Sequence, residues 1–270
     1  AASDVYKRQV LPESAKFLAV QGDRREELIK TVNRVQPHAA DGSTRFVMPD
    51  ASGGGKAAIK MIVSKPHTVT TVALWTGLFM NLLTVYFLNS WLPIMVKDDG
   101  FTLADAAMVG AMMQLGGTFG NIVIGWLMDR WAQHYVQIGA LTFAGALTVA
   151  LGNLDPDING LMALCFFLGF CINSSNTGWT AMAAGYYPTS MRATGTSWMT
   201  GIGRFGAISG ASIGAVLLGL QWDFGQLFLA LTVPIGIAVV AAFVKGSQRR
   251  SRVQTLDEAD AAVPVLRPRA

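Results

Sequence analysis

From residue 68 onward the chain alternates between long apolar runs and short polar joints. Six apolar segments can be read, over approximately 68–92, 103–128, 135–153, 159–183, 193–220 and 225–245. Each is near or above the roughly 20 residues that cross a bilayer as an α-helix. A helix also satisfies its own backbone polar groups in lipid. A closed barrel would need alternating strands of about ten residues, and no such alternation runs through the chain. The joints are marked by turn formers and charge: "WLPIMVKDDG", "DRWAQH", "GNLDPD", "GYYPTSMR" and "QWDFGQ", the first containing Pro93. Trp91, Trp131, Trp179, Tyr186, Tyr187 and Trp222 fall near segment ends, where amphipathic rings prefer the membrane interface. The pattern predicts an all-α membrane protein with a six-helix transmembrane domain over 67–246.

Composition sharpens this. The chain has 270 residues, 51% hydrophobic and only 14% charged, where roughly a quarter charged is usual. Residues 1–66 are polar and charged, 68–244 are nearly bare, and charge returns after Lys245. Under six spans, 19 of the 21 basic residues fall on one side, the exceptions being Lys97 and Arg204. The alternate joints carry Asp98, Asp99, Asp155, Asp157 and Asp223. The positive-inside rule then puts both ends of the domain in the cytoplasm. Residues 10–66 are expected to be cytoplasmic, with "RREELIKTVNRV" as a short surface helix and "DGSTRFVMPDASGGGK" as a flexible linker. Residues 247–270 are expected to form a cytoplasmic tail. The leader has no apolar run before residue 60, so no signal peptide is read in it. Residues 1–9 look foreign, because "SDVYKRQ" resembles a translated sequencing-adapter junction. The chain is therefore expected to be cut there.

Little in the sequence suggests an enzyme. Cys165 and Cys171 share one apolar run at a spacing that fits no zinc or redox motif. His38, His67 and His134 are far apart, so no metal site is expected. Gly201-x-Gly203-x-x-Gly206 has the spacing of a dinucleotide turn, but such a turn needs a strand before it and a soluble helix after it. No cofactor and no nucleic-acid partner are expected; the lipid bilayer is.

Arg204 is the residue that asks for a function. It lies about 11 residues into its segment, roughly 16 Å at 1.5 Å per residue, near the middle of a hydrocarbon core about 30 Å thick. A centred Arg costs about 2.5–3.5 kcal/mol, and it keeps its proton. It should face a polar cavity and meet an anionic or carbonyl partner. Three partners remain open: a substrate carboxylate, an acid outside this chain, and backbone carbonyls. Polar residues recur at helical spacing: Gln114, Thr118 and Asn121; Asn81 and Thr84; Tyr86 and Asn89; and the run "NSSNTGW" with Asn173 and Asn176. They should point away from lipid, either as glue between helices or as substrate contacts. Trp75, Phe79, Tyr86, Phe166, Phe167, Trp198 and Phe205 could wall an aromatic ring. Gly206, Gly210 and Gly214 repeat every fourth residue, a spacing that permits close helix approach.

Three stretches resemble a known family. "LPESAKFL" (11–18) resembles the motif after the sixth helix of major facilitator superfamily transporters, and "GWLMDR" (125–130) resembles their loop between helices eight and nine. "YYPTSMRATGTSW…GIGRFGAISG" (186–210) is similar to the helix ten-to-eleven region of the aromatic acid/proton symporters. The resemblance departs at Trp131–His134, where members often carry more Gly and basic residues, and at Ala211, where a proline often follows the glycine.

The resemblance implies the C-terminal six-helix half of a twelve-helix fold, built from two inverted three-helix repeats, with residues 10–66 as the central loop. It implies alternating-access, proton-coupled transport of a small aromatic carboxylate such as benzoate or hydroxybenzoate across the bacterial inner membrane. The proton-coupling site would then lie in the other half. Arg204, Asn173, Asn176, Gln114, Tyr86, Asn89 and Trp198 are the expected substrate contacts. Asp129, Arg130, Arg192, Gly125, Gly206 and Gly210 are the expected gating elements. Transport of another organic acid or a sugar, or a non-transporting receptor or scaffold on the same fold, remain alternatives.

Overall fold

The computed structural model describes residues 25–35, 62–65, 67–154, 156–187 and 189–262. The stretches "SDVYKRQ", "LPESAKFL" and "DGSTRFVMPDASGGGK" lie outside the described residues. The chain divides into two compact units, 1–54 and 55–270. In the first, α1 (Arg25–Val35) begins with Glu26 and Glu27 and ends with Arg34, the charge order that complements a helix dipole. It is the helix expected of "RREELIKTVNRV".

The second unit is built from α2 (Thr68–Asp98), α3 (Leu103–Arg130), α4 (Gln133–Asn153), α5 (Ile158–Tyr186), α6 (Thr189–Gly219) and α7 (Phe224–Ala262). Among the described residues these six are long and apolar enough to cross a membrane, at the six places the hydropathy pattern marks. Three of them are started by acids, two of which, Asp157 and Asp223, come from the acidic joints. Thr102 and Asp105 form a reciprocal cap on α3. The Asp157 side chain accepts from the Gly160 N–H at the start of α5, at 3.2 Å. Asp223 accepts from the Gln226 N–H at 2.8 Å, while the Asp223 N–H donates to Gln226 Oε1 at 3.3 Å. Such caps stabilise a helix by about 1 kcal/mol each.

Two helix ends differ from expectation. α2 does not break at Pro93 but runs on to Asp98. The proline ring only removes the donor that would have met the Asn89 carbonyl, and such gaps are tolerated in membrane helices when neighbours compensate. The α2–α3 turn is instead made at Gly100, whose φ of 99° suits glycine. Trp179, expected at the interface, is fully buried. It lies against Gly77 of α2, where any side chain would strike its ring.

The helices form two rows. α3, α5, α2 and α6 pack in that order as a front row; α4 packs behind α5, α7 behind α2, and α4 on α7. Exchanging α2–α4 for α5–α7 maps the α2·α6 pair onto α5·α3 and α2·α7 onto α5·α4, and leaves α4·α7 unchanged. Each triplet has an odd number of spans, so the second starts in the opposite sense, an inverted repeat. One hydrophobic core, including Leu74, Leu88, Met113, Leu141, Leu168 and Phe228, draws on both triplets.

The two widest contacts of the front row are backbone seams. A Cβ on Gly116 or Gly120 of α3 would collide with the carbonyls of Phe166 and Phe170 of α5. A Cβ on Gly206 or Gly210 of α6 would collide with the carbonyls of Phe79 and Leu83 of α2. Both seams advance in the same direction on both helices, so each pair is parallel. α4 and α7 are antiparallel, with Gly152 against Gly225 and Gly246 against His134.

Gly206→Ala must therefore push α6 off α2, whereas Gly139→Ala on α4 adds a methyl to open space. We expect thermal unfolding in detergent to show Gly206→Ala destabilised by about 1–3 kcal/mol. Gly139→Ala should be neutral, or more stable by up to about 1 kcal/mol from helix propensity.

Candidate functional site

The two rows present different outer faces. The exposed side chains of α7 include Leu229, Val233, Ile237, Val240 and Phe243, a surface suited to hydrocarbon. The front row exposes polar groups: Tyr86 and Asn89 on α2, Gln114, Thr118 and Asn121 on α3, Asn176 and Thr177 on α5, and Arg204 on α6. Asn81 and Thr84 are buried within the unit.

Across the α3–α5 seam, the Asn173 amide donates to Gln114 Oε1 at 3.1 Å and the Thr177 hydroxyl donates to Asn121 Oδ1 at 2.7 Å. Asn173 covers Gly117, where a side chain would displace it. Interhelical glue is thus one real role of these residues. Each amide of the Gln114–Asn173 pair still has unused hydrogen-bonding capacity: two donors on Gln114 and an acceptor on Asn173. Asn176 stands exposed one turn beyond Asn173.

On the other seam, Arg204 stands at the midpoint of α6. It is exposed on this unit and has no hydrogen bond or ion pair among the described residues. Tyr86 and Asn89 project from α2 on the same row, and the Asn89 carbonyl is the one Pro93 leaves without a donor. Trp198, one and a half turns before Arg204, stacks on Trp75 at 6.4 Å between centroids and 27° between planes.

The inverted repeat relates these groups. Gln114 precedes Gly116 by two residues, and Arg204 precedes Gly206 by two. Asn173 and Asn176 follow Phe166 at the same intervals by which Tyr86 and Asn89 follow Phe79. The seams place Gly116 on Phe166 and Gly206 on Phe79. Six of the seven expected substrate contacts are therefore one three-residue constellation used twice, neutral on one seam and cationic on the other.

The expected gating residues are dispersed. Arg130 lies over the Trp126 ring, 4.2 Å from its centroid, and neither it nor Asp129 has an ion-pair partner among the described residues. Gly125 faces open space, while Gly206 and Gly210 form a seam. The Arg192 Nε–H donates to the Tyr187 carbonyl at 3.3 Å.

Arg192 thereby joins a cluster that was not foreseen. Tyr186 and Tyr187, at the end of α5 where interfacial rings are expected, also tie the α5–α6 joint to the start of α2. Tyr186 shares a hydrogen bond with His67 at 3.0 Å. The buried Tyr187 hydroxyl donates to Thr71 at 3.2 Å, and the Thr71 hydroxyl donates to the Ile62 carbonyl at 3.0 Å. The Tyr187 ring covers Gly195, which has no room for a side chain. Burial pushes the Tyr187 phenol above the usual tyrosine range. The "YYP" and "RATG" spacing was the available signal, since a ring needs a glycine beneath it to lie flat on a helix.

Comparison with known proteins bears on this arrangement. The family model for the Major Facilitator Superfamily matches residues 42–268. A 4-hydroxybenzoate transporter of Pseudomonas putida is 40% identical over 87% of this chain and 53% of its own length. A gallate transporter of the same species is 38% identical over 89% of this chain and 53% of its own. A benzoate transport protein of Acinetobacter baylyi is 28% identical over 89% and 52%. The chain spans about half the length of the curated relatives it matches.

The tyrosine tie predicts an asymmetry. Tyr187→Phe should cost about 0.5–1.5 kcal/mol, because Thr71 keeps its bond to Ile62. Thr71→Val should cost about 1–3 kcal/mol, because it removes both bonds at once in a buried setting. Chemical denaturation of the two variants measures the difference, and equal costs would deny the tie.

Proposed function

The chain belongs to the Major Facilitator Superfamily, and from that premise we propose that it forms one six-helix half of a secondary transporter. That transporter carries small aromatic carboxylates inward with protons, by alternating access. The single observation that carries the reading is Arg204: a permanent cation midway along a spanning helix, exposed on the polar row, with no partner among the described residues. A charge at that depth is retained only for something that compensates it, and a planar guanidinium grips a carboxylate through two parallel hydrogen bonds. The relatives named for 4-hydroxybenzoate, gallate and benzoate all transport molecules bearing one carboxylate on a ring.

In this reading the polar row faces a second six-helix half across the substrate path. Arg204 takes the carboxylate. Tyr86, Asn89 and Trp198 flank the ring, with Gln114, Asn173 and Asn176 on the neutral seam. The acids of the described spans lie at helix ends (Asp98, Asp105 and Asp129), so the carboxylate that couples protons belongs to the other half. The basic joints set both ends of this half in the cytoplasm of the bacterial cell, at the inner membrane. Asp129, Arg130, Arg192 and the tyrosine tie then lie at the cytoplasmic mouth, where they hold or release α2 and α6. Gly125 leaves α3 free to shift there, and the seam at Gly206 and Gly210 lets α6 move as a rigid piece with α2.

The test is uptake of radiolabelled 4-hydroxybenzoate by the complete transporter in proteoliposomes under an imposed proton gradient. Loss of a hydrogen bond to a charged group, worth about 1.5–3 kcal/mol, corresponds to roughly a tenfold to hundredfold fall in kcat/KM for Arg204→Gln. Arg204→Lys keeps the charge but not the fork, and should fall in between. Unchanged kinetics in both variants would remove the carboxylate from Arg204.

A further inference from the structure

The inverted repeat has one mismatch. On one side, the cleft between α3 and α4, floored by α5, is closed by Ile124 and Met128 packed on Val136 and Ala140, with Phe170 beneath. On the other side, the corresponding cleft between α6 and α7, floored by α2, is open. It holds a cavity of about 250 Å³ with Leu83 and Phe87 at the floor, Ile213 and Leu217 on one wall, and Ala230 and Pro234 on the other. α6 and α7 are consecutive yet touch less than α3 and α4 do. Every side chain lining the cleft is apolar.

Two features decide which way it opens. Ile213 follows Arg204 by nine residues, which at 3.6 residues per turn sets it on the opposite side of α6. The cleft therefore faces away from the polar row. Its outer rim includes the exposed Val233 and Ile237, which continue into the apolar outer face of α7 at Val240 and Phe243. Phe87, by contrast, is only 1% exposed and is reached only through the cleft.

Size and chemistry select the occupant. A helix about 10 Å wide with a 1.5 Å rise fills roughly 120 Å³ per residue, so the cavity would take about two residues of one. Water has no polar partner there. An unbranched hydrocarbon chain fits both the shape and the lining. We propose that the cleft between α6 and α7 binds one acyl chain of a membrane lipid, inserted past Ile213 and Ala230 until it touches Leu83 and Phe87 of α2. The chain supplies the contacts that Ile124, Met128, Val136 and Ala140 supply on the other side.

The complete protein in nanodiscs containing phosphatidylethanolamine with a diazirine near the acyl terminus tests this, with adducts mapped by peptide mass spectrometry. We expect adducts on α2 at Leu83 or Phe87 as well as on the outer face of α7 at Val240 and Phe243. Ala230→Trp fills the cleft, so the α2 adducts should be lost while those at Val240 and Phe243 stay. Ile213→Trp, at the rim, should do the same and guards against a folding defect in the first variant. Wild-type protein labelled on α7 but never on α2 would overturn the proposal, as would α2 labelling that survives both tryptophans. Neither readout involves transport.

Discussion

Two places where one helix backbone lies directly on another hold this unit together. In a bilayer, lipid tails are as apolar as leucine, so side-chain greasiness does not drive helices together. Close approach does, and it is set here by Gly116 and Gly120 on α5 and by Gly206 and Gly210 on α2. The two seams fix the order of the front row. They also fix the rotation of α3 and α6, and with it where Gln114 and Arg204 point. Those residues sit two positions ahead of the first glycine of each seam. The polar row is therefore positioned first by backbone contact, to which the Asn173–Gln114 and Thr177–Asn121 bonds are added across one seam.

The ends of the helices are organised by a different force. Joint acids begin α5 and α7, and Thr102 with Asp105 begins α3, satisfying N–H groups that would otherwise lack partners. The opposite end has few such caps: His67 and Ala132 provide no side-chain bond to the starts of α2 and α4. There the chain uses tyrosines. Tyr186 and Tyr187 reach from the end of α5 to the start of α2, and Arg192 holds the Tyr187 carbonyl. One end is capped within single helices, while the other is tied between helices by the tyrosines.

Much of this was legible in the sequence. The six spans are set by length and apolarity, which depend on nothing outside each segment. The glycine spacing at 206, 210 and 214 and the isolation of Arg204 were equally local. Pro93 was misjudged because a proline stops a helix reliably only in water, where the alternative conformations are cheap. Trp179 was misplaced because burial depends on a partner, here Gly77, that sequence spacing cannot assign, and the tie from Tyr187 to Gly195 and Thr71 was missed for the same reason. The correspondence of Gln114 with Arg204, and of Asn173 with Tyr86, was invisible because the repeats preserve position without preserving residue type. The cleft between α6 and α7 needed three helices to be placed before it existed at all.

The pairing order carries a consequence for how the unit is assembled. α3 meets its principal partner after one intervening helix, but α2 must wait for α6, four helices later. If the helices enter the bilayer in chain order, α2 spends most of synthesis without its seam. The glycines of that seam are all on the late arrival; α2 contributes the backbone carbonyls of Phe79 and Leu83, whose apolar side chains lie comfortably against lipid in the meantime. The helix that waits is thus the one that can bear waiting, and closure of the unit falls to the helix that carries the arginine.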